Sequence, residues 1–444
     1  MAAVAPPGDY EVVVVGSGPG GLQTSYYLTR FGVRHALLSA DEAPGGMFRR
    51  WPIYERLISW TRVHAPVGRE TREYEWYDHN SLLAEEPEHR ALVPAVAGKG
   101  VFFPTRAEME AGLVAFAERT GVRARFGCRW ERTRRQEDGW VLETSDGEYR
   151  CRSVVFAIGV TTPWRPAALE GVPHYAETGD AREYEGKRVV IIGKRNSGFE
   201  LAAELLPWAR SIVLVSPQPV QAAVLARSTF RVRYFQPWED HARGGGTFVL
   251  DAAVGRIERT PDGFLVHAEG TTRPGTLELH ADVVIAATGF RAPLRDLPEI
   301  GLATVGHGRI PALTPFWESI SLPGIYFAGN ASDGAAPLNK RGTQSLSTSV
   351  VGFRYNARLL AQRLAGRSES RPLERDAVVP LLARAWRAEP ELWAQRGYLA
   401  RVVTLEDEPR DLGVEPLAHF VDQPAPEAVA VTVETEPDGT ILPV

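Results

Sequence analysis

The chain has 444 residues, of which 44 % are hydrophobic and 24 % charged, as expected for a globular protein with a sizeable core. Its net charge of −5 gives no reason to expect binding to nucleic acid or to a membrane. No run approaches the roughly 18 apolar residues of a membrane span, and the N-terminus lacks the features of a signal peptide. The two cysteines, Cys128 and Cys151, lie too far apart in sequence for a C-x-x-C redox pair. These features predict a cytoplasmic protein.

The first predicted unit is a β-α-β motif at the N-terminus. Residues 10–15 form a short run rich in valine, which is typical of a buried parallel strand. The run leads into a G-x-G-x-x-G turn at residues 16–21, after which residues 22–30 read as a helix and residues 33–38 as the next strand. This is the context in which the glycine fingerprint binds a dinucleotide.

A second copy of this motif begins with the apolar strand 189–192. Gly193 and Gly198 match the outer glycines, but Arg195 stands where a middle glycine would let the backbone approach a pyrophosphate. The arginine side chain obstructs that approach, although its guanidinium can pair with a phosphate from the side. The strand 212–215 ends at Ser216 instead of an acidic residue, which favours NADPH over NADH. The alternative is a reshaped pocket in which this unit survives only as scaffold.

The rest of the chain is predicted to contain further helices and strands. Apolar residues between 346 and 364 recur at alternating spacings of about four and three, which predicts one face of a long helix that ends at Gly366. Residues 371–398 also read as helical. The remaining predicted strands are 122–130, 139–144, 148–156, 264–267, 276–279, 281–290, 324–330 and 428–434.

The order of these motifs resembles a known group of flavoproteins. The glycine fingerprint at 16–21 is followed by Gly45-Gly46, by Ala-Thr-Gly-Phe at 287–290 and by Tyr-Phe-Ala-Gly at 326–329. This order is similar to that of the flavin-containing monooxygenases and the pyridine nucleotide-disulfide oxidoreductases. Residues 56–59, 317–319 and 352–355 resemble the branch that contains the endoplasmic-reticulum flavoprotein associated with degradation.

The resemblance implies an α/β fold with two Rossmann-like dinucleotide-binding domains of the three-layer ββα type. The FAD-binding domain would be discontinuous, with residues 1–160 and 281–365, and the NAD(P)H-binding domain would be residues 161–280. Residues 366–444 would form a helical and strand extension, either a cap over the active site or the contact of a homodimer. The implied cofactor-binding residues are Gly16, Ser17, Gly18, Pro19, Gly20, Gly21, Gly46, Met47, Phe48, Trp60, Trp130, Ala157, Gly159, Gly193, Lys194, Arg195, Asn196, Ser197, Gly198, Ser216, Thr288, Gly289, Gly329 and Asn330.

The chain departs from the family pattern at two cofactor positions. Where relatives carry a glutamate for the adenosine ribose, this sequence has Ser39, with Asp41 two residues later. A serine can still hydrogen-bond a ribose hydroxyl, but more weakly than a carboxylate. Where relatives often place an aspartate for the ribityl chain, this sequence has Asn330, whose amide keeps hydrogen-bonding capacity. We therefore keep Ser39, Asp41 and Asn330 in the predicted site.

The candidate catalytic residues are Thr61 and Arg62. Many monooxygenases of the resembling family have an asparagine near this position, beside the reactive edge of the flavin, and here Trp60 or Thr61 takes its place. Thr61 would donate a hydrogen bond to a peroxyflavin, and Arg62 would stabilise a peroxide anion. The alternative is that Trp60 packs in the core and Arg62 is solvated.

The leading functional hypothesis is an FAD-dependent monooxygenase that uses NADPH and O2. Because no protein disulfide can relay electrons, the chemistry would proceed through a C4a-(hydro)peroxyflavin, with N-, S- or Baeyer–Villiger oxygenation of a small molecule. One alternative is a flavin oxidase or dehydrogenase that takes hydride directly from its substrate. A second alternative is a non-catalytic flavin-binding module. The histidines have no metal-ligand spacing, so no metal is expected.

Overall fold

The computed structural model describes residues 4–49, 57, 59–62, 64–97, 103–220, 238–240, 245–335, 346–423, 427–435 and 441–444. These residues form two compact units, the first within 1–161 and 292–444 and the second at Thr162–Arg291. The predicted α/β class with two Rossmann-like units is confirmed by this architecture. The prediction placed residues 281–291 with the first unit, whereas the structure places them with the second.

The described residues contain helices and strands with the following bounds. The helices are α1 (Pro19–Arg30), α2 (Leu92–Val96), α3 (Arg106–Thr120), α4 (Asn196–Leu205), α5 (Val350–Leu364), α6 (Val378–Ala388), α7 (Pro390–Ala394) and α8 (Leu417–Asp422). The strands are β1 (Gly8–Val15), β2 (His35–Leu38), β3 (Trp130–Gln136), β4 (Gly139–Thr144), β5 (Gly147–Phe156), β6 (Thr162–Pro163), β7 (Arg188–Ile192), β8 (Ser211–Ser216), β9 (Trp238–Asp240), β10 (Gly245–Thr260), β11 (Gly263–Gly270), β12 (Thr276–Ala281), β13 (Val283–Ala286), β14 (Phe290–Arg291), β15 (Thr304–Val305), β16 (Ile310–Pro311), β17 (Ile325–Phe327), β18 (Arg371–Pro372), β19 (Leu399–Thr404), β20 (Arg410–Pro416), β21 (Ala428–Val431), β22 (Val433–Thr435) and β23 (Ile441–Pro443).

The first unit is built around a sheet in the order β2-β1-β5-β4-β3, with β17 also paired to β5. The strands β2, β1, β5 and β17 run parallel, and β4 and β3 continue the sheet antiparallel to β5. The four valines that end β1 are buried on both faces, and helices α1 and α5 pack against each other beside the sheet. Because parallel strands end at the same edge, Gly16, Ala157 and Gly329 emerge close together.

The second unit repeats the arrangement with a sheet in the order β12-β11-β10-β8-β7-β13. Strands β13, β7, β8 and β10 are parallel, whereas β11 and β12 are antiparallel to their neighbours. The domain boundary follows from this pairing. Val283–Ala286 align with residues 189–192 of β7, and β14 pairs with β6, so residues 281–291 complete the second sheet and its margin.

Several stretches differ from the predicted elements. Strands β19 and β20 were not predicted, and the stretch 371–398, predicted to be helical, begins with strand β18 before α6 and α7. Of the predicted strand 122–130, only Trp130 lies in a strand, as the first residue of β3. Gly127 has a φ of +70°, which breaks an extended run at that point. Strand β10, of 16 residues, was not predicted because its apolar residues follow no strict alternation.

The C-terminal extension belongs to the first unit and contains an antiparallel sheet in the order β18-β20-β19-β21. It meets α5 and the 3-10 helix Arg72–Tyr77 at a small cavity of about 70 Å³. Arginine and glutamate side chains dominate the lining, and Arg401 donates to Glu389 at 2.7 Å and Arg72 to Glu391 at 3.1 Å. The extension therefore contacts the rest of the first unit partly through ion pairs. Its role as cap or dimer contact stays a prediction.

Glu389 makes the stability of this contact depend on pH. Burial raises the pKa of Glu389 to about 7, against the opposing influence of Arg401. Since the pKa in the folded state lies above the unfolded value, the contribution of Glu389 to stability is fully present below about pH 4.5 and is lost as pH rises through 7. We expect Glu389→Gln to unfold like the wild type at pH 4.5 and to be more stable at pH 8 by about 1 to 3 kcal/mol.

Thermal unfolding midpoints between pH 4.5 and 8 measure this effect. Glu408→Gln is the matched control, because Glu408 is exposed on the same extension, and it should show no pH-dependent difference from the wild type. A Glu389→Gln protein that is less stable than the wild type at pH 8 would show that the ion pair with Arg401 outweighs the burial of the carboxylate.

Candidate cofactor-binding sites

The first candidate site is the turn between β1 and α1. Gly18 is the N-cap of α1 in an extended conformation, with φ −73° and ψ −178°, and Pro19 occupies the first helical turn. In the described part of the chain no side chain caps this helix end, and no acidic residue lies in its first turn. The unsatisfied N–H groups and the helix dipole therefore favour an anion at this position.

Three glycines of this turn are required by the protein itself. A Cβ on Gly16 would lie 2.4 Å from the carbonyl oxygen of Ala157, and one on Gly21 would lie 1.8 Å from the carbonyl oxygen of Gly16. A Cβ on Gly20 would lie 2.6 Å from both the nitrogen and the Cα of Gly329. The backbone of the turn therefore lies close against itself and against the ends of β5 and β17, with no room for a side chain at these three positions.

Gly18 is different, because no atom of the described residues requires it to be glycine. Among those residues, its Cβ would meet nothing closer than the Cα of Gly46 at 3.8 Å, and its backbone conformation suits any residue. The bare backbone at Gly18 thus leaves open the space through which a pyrophosphate approaches in this fingerprint. The turn fits the diphosphate of FAD on this ground.

The loop after β2 closes one side of the turn. The N–H of Gly45 donates to the carbonyl oxygen of Ser17 at 3.1 Å, and a Cβ on Gly46 would lie 2.8 Å from the Cα of Gly18. Met47 and Phe48 follow in the 3-10 helix Gly46–Arg49 and are partly buried. The predicted residues of this segment are therefore next to the fingerprint.

Ser39 and Asp41 occupy different surroundings at the end of β2. The Ser39 hydroxyl is 2.7 Å from the Ser17 hydroxyl and also accepts from the N–H of Asp41 at 3.2 Å. Ser39 is only 2 % exposed, so its hydroxyl is directed into the protein. Asp41 is partly exposed and is the more accessible of the two predicted ribose ligands.

The remaining predicted FAD residues divide between the turn and the core. Ala157 donates its N–H to Val15 at 2.8 Å, beside the turn, and Gly159 follows with a φ of +68°. Trp130 is 4 % exposed, packs on Phe156 with ring centroids 4.5 Å apart and donates to the Thr133 hydroxyl. Its observed contacts are those of a core residue.

Gly329 and Asn330 begin a 3-10 helix, Gly329–Gly334, directly after β17. Gly329 has a φ of +68° and supplies the backbone that faces Gly20. Asn330 is partly exposed at this same end of the sheet. The ribityl contact proposed for its amide stays a prediction.

The two candidate catalytic residues are neighbours with different environments. Thr61 is 2 % exposed; its hydroxyl donates to Asp78 Oδ1 at 2.8 Å and accepts from Asn80 Nδ2 at 2.9 Å. Arg62 is exposed, and its guanidinium carbon lies 5.8 Å from the centre of the Tyr77 ring. The Thr61 hydroxyl is thus committed to a buried network, whereas the Arg62 side chain reaches the surface.

Trp60 precedes this pair and is partly buried. The centroids of the Trp60 and His79 rings are 3.8 Å apart. The backbone N–H of His79 donates to the Trp60 carbonyl oxygen at 3.0 Å. These contacts fix the segment in place. They leave the predicted cofactor contact of Trp60 as a prediction.

The second candidate site is the turn between β7 and α4. A Cβ on Gly193 would lie 2.3 Å from the carbonyl oxygen of Ala287, and one on Gly198 would lie 2.3 Å from that of Gly193, which repeats the close contacts of the first turn. Arg195 is the N-cap of α4, with φ −114° and ψ −167°, and its side chain is exposed. It occupies the place that Gly18 has in the first site.

Three other predicted residues of this turn have distinct positions. The Lys194 ammonium is buried, where it donates to the carbonyl oxygen of Leu250 at 2.7 Å and pairs with Asp251. Asn196 and Ser197 are partly exposed in the first turn of α4. Asn196 Oδ1 is buried and has no hydrogen-bond partner in the described part of the chain. Polar groups therefore remain near this helix end.

Thr288 and Gly289 lie just beyond β13, where a residue absent from the sequence prediction holds them. The buried His174 accepts from the N–H of Ala176 at Nδ1, so Nε2 carries the proton and donates to the Gly289 carbonyl at 3.0 Å. Burial lowers the pKa of His174, which keeps the ring neutral. The Thr288 hydroxyl donates to the Trp164 carbonyl at 2.6 Å. A lone histidine gives no sequence signal for such a role.

The chemistry available to the two sites is limited by the other side chains. Cys128 and Cys151 are both free and buried. In the described ranges, no cluster of histidine, cysteine, aspartate and glutamate is arranged to hold a metal ion. No helix among the same residues combines the length and the apolar character needed to cross a membrane.

Curated proteins from several organisms are similar to this chain, among them the following two. FAD-dependent oxidoreductase domain-containing protein 2 of Danio rerio is 30 % identical over 228 residues, which are 48 % of this chain and 32 % of that protein. The chain thus spans about a third of the length of that relative. A ferredoxin–NADP reductase of Sulfurisphaera tokodaii is 26 % identical across 78 % of this chain and 90 % of that protein.

Solved structures share the fold. A flavin-containing monooxygenase from Stenotrophomonas maltophilia superposes with a TM-score of 0.59 at 21 % identity, over 81 % of this chain and 98 % of that one. The sequence pattern of the pyridine nucleotide-disulphide oxidoreductases matches residues 13–329, which include both glycine turns. The family and the FAD- and NADP-dependent relatives support the prediction of FAD and NADPH as cofactors. The chain belongs to the pyridine nucleotide-disulphide oxidoreductase family.

Proposed function

We propose that this FAD-dependent oxidoreductase is a monooxygenase that uses NADPH and O2 to oxygenate a small molecule. The observation that carries the proposal is the presence of two nucleotide turns in a chain whose only cysteines, Cys128 and Cys151, are free and buried. No thiol pair is available to relay electrons, so the acceptor is external. The fold likeness to a flavin-containing monooxygenase favours O2 as that acceptor.

The overall reaction would convert NADPH, H⁺, O2 and the substrate into NADP⁺, water and the oxygenated product. FAD, when bound, supplies the hydride acceptor and the site of reaction with O2. The chain would hold the FAD diphosphate at Gly18 and the N-terminus of α1, and the coenzyme at the turn that contains Arg195. Arg62 is the more accessible catalytic candidate, since the Thr61 hydroxyl already has two partners.

Anaerobic mixing of the FAD-loaded protein with NADPH tests the electron path. We expect the yellow colour to bleach, and a panel of amines, sulfides and ketones under ¹⁸O2 to yield a product with one labelled oxygen atom. Bleaching by a substrate but not by NADPH would indicate an oxidase or dehydrogenase. A folded protein that binds no FAD would contradict any flavin-dependent function.

A second candidate function is the transfer of electrons from NADPH to a small redox protein. It is favoured by the similarity to ferredoxin–NADP reductases over most of both chains. Anaerobic reduction of a ferredoxin, with no labelled oxygen in any product of the aerobic assay, would support this function over oxygenation.

We further propose that the protein works in the cytoplasm, where free thiols such as Cys128 and Cys151 persist. The extension 366–444 is proposed as a cap or as the contact of a homodimer. Light scattering of the full chain distinguishes these roles, because a monomeric mass would exclude the dimer.

A further inference from the structure

Strand β8 has no acidic residue at its carboxyl end, but the neighbouring strand places a carboxylate there. A Rossmann unit normally ends this strand with an acidic residue that binds the coenzyme ribose and rejects a 2′-phosphate, and here the residue is Ser216. In the structure Asp251, on the adjacent parallel strand β10, is in register with Ser216. Neighbouring strands lie about 4.8 Å apart, so a negative charge is still present at this end of the sheet.

This carboxylate is fully engaged by two donors. Lys194 forms an ion pair with Oδ1, and the Thr272 hydroxyl donates to Oδ2 at 2.8 Å. Both contacts lower the pKa of Asp251, which therefore stays ionised at neutral pH. Among the residues that the structure describes, Lys194 is the cation that balances the charge of Asp251, because the threonine is neutral.

The pair is arranged with the aspartate outward and the lysine inward. The side chain of Lys194 is 2 % exposed and that of Asp251 is 28 % exposed. Lys194 directly follows Gly193 in the second glycine turn, and its ammonium is also fixed by the carbonyl oxygen of Leu250. A residue of the phosphate-binding turn thus sets the net charge at the neighbouring strand ends.

We propose that Lys194 sets the coenzyme preference of the second unit by neutralising Asp251, so that the 2′-phosphate of NADP(H) is accepted at the end of β8. The inference rests on the proposed use of NADPH. Without the lysine, Asp251 would be an unpaired carboxylate of the kind that favours the free ribose hydroxyls of NAD(H). Lys194 is in this view a specificity-determining residue that acts through Asp251.

Isothermal titration calorimetry with the FAD-loaded protein tests the inference. Lys194→Met removes the charge and keeps an unbranched side chain, and it should raise the Kd of NADP⁺ by about tenfold or more while that of NAD⁺ changes by less than about threefold. Lys194→Met should likewise raise the Kd of 2′,5′-ADP much more than that of 5′-AMP. These two ligands differ in the 2′-phosphate, so the comparison isolates its contribution.

The double variant Lys194→Met with Asp251→Asn is the decisive control. It removes both charges, so NADP⁺ affinity should return to within about threefold of the wild type. Thr272→Glu covers the case in which Lys194→Met does not fold, because Thr272 is exposed and the new carboxylate would stand beside Asp251. It should weaken NADP⁺ and 2′,5′-ADP without weakening NAD⁺.

The outcomes separate the inference from the proposed function. Equal weakening of NADP⁺ and NAD⁺ by Lys194→Met, with no recovery in the double variant, would overturn the inference and indicate a purely structural lysine. A wild-type protein that binds NAD⁺ but not NADP⁺ would overturn the inference and the proposed NADPH dependence together.

Discussion

Gly21→Ala is expected to destabilise the first unit by about 3 kcal/mol or more and to abolish FAD binding, whereas Gly18→Ala should weaken FAD binding with little loss of stability. The Cβ at position 21 would lie 1.8 Å from a carbonyl oxygen of the same turn, so the backbone must move. At position 18 the nearest atom of the described residues is 3.8 Å away, and an alanine N-cap costs at most about 1 kcal/mol. Gly18→Ala should nevertheless raise the Kd of FAD by about tenfold or more, because a methyl group would occupy the approach of the pyrophosphate.

Urea unfolding of the apoprotein and fluorescence titration with FAD measure the two effects separately. Equal losses of stability in both variants would show that Gly18 is required by the protein fold. Unchanged FAD affinity in a stable Gly18→Ala protein would place the diphosphate elsewhere. The pair of variants therefore tests the cofactor assignment without relying on enzyme activity.

Local sequence was sufficient to predict the two glycine turns. The requirement for glycine at 21 and 198 arises from contacts within each turn, which the spacing of the motif encodes. Gly16 and Gly193 instead face Ala157 and Ala287, which follow neighbouring parallel strands, and Gly20 faces Gly329. The need for glycine at position 20 depends on the pairing of β17 with β5, which no local pattern displays.

The environments of single polar and aromatic residues were harder to predict. Trp130, whose cofactor contact stays a prediction, packs on Phe156 of strand β5 and donates to the hydroxyl of Thr133 on its own strand. The missing acid at Ser216 was recognised, whereas Asp251 was not, because its position depends on the register of β10. Side-chain roles that depend on strand register or on sequence-distant partners require the structure.

A buried arginine holds the segment that contains Asp78, and its replacement should have the second large effect. Arg354, on α5, is 1 % exposed and donates to the carbonyl oxygens of Asp78 and Ser81 at 2.9 Å and of Glu75 at 3.1 Å. Asp78 in turn accepts from Thr61, so the arginine also supports the candidate catalytic segment. The fixed fork of the guanidinium is what allows one side chain to bind three carbonyl groups.

We expect Arg354→Met to lower the free energy of unfolding by about 3 to 5 kcal/mol, since it leaves buried acceptors and nearby carboxylates without their cation. Arg354→Lys should recover only part of this loss, because a single ammonium cannot match the geometry of the fork. Arg363→Met is the control on the same helix: Arg363 is exposed over the Phe316 ring, and its loss should cost less than about 1 kcal/mol. Urea unfolding gives the energies, and hydrogen exchange at Asn80 and Ser81, whose N–H groups donate to Asp78, reports the local loosening.

An Arg354→Met protein as stable as the Arg363→Met control would show that water replaces the guanidinium. The arginine would then have no part in fixing Thr61.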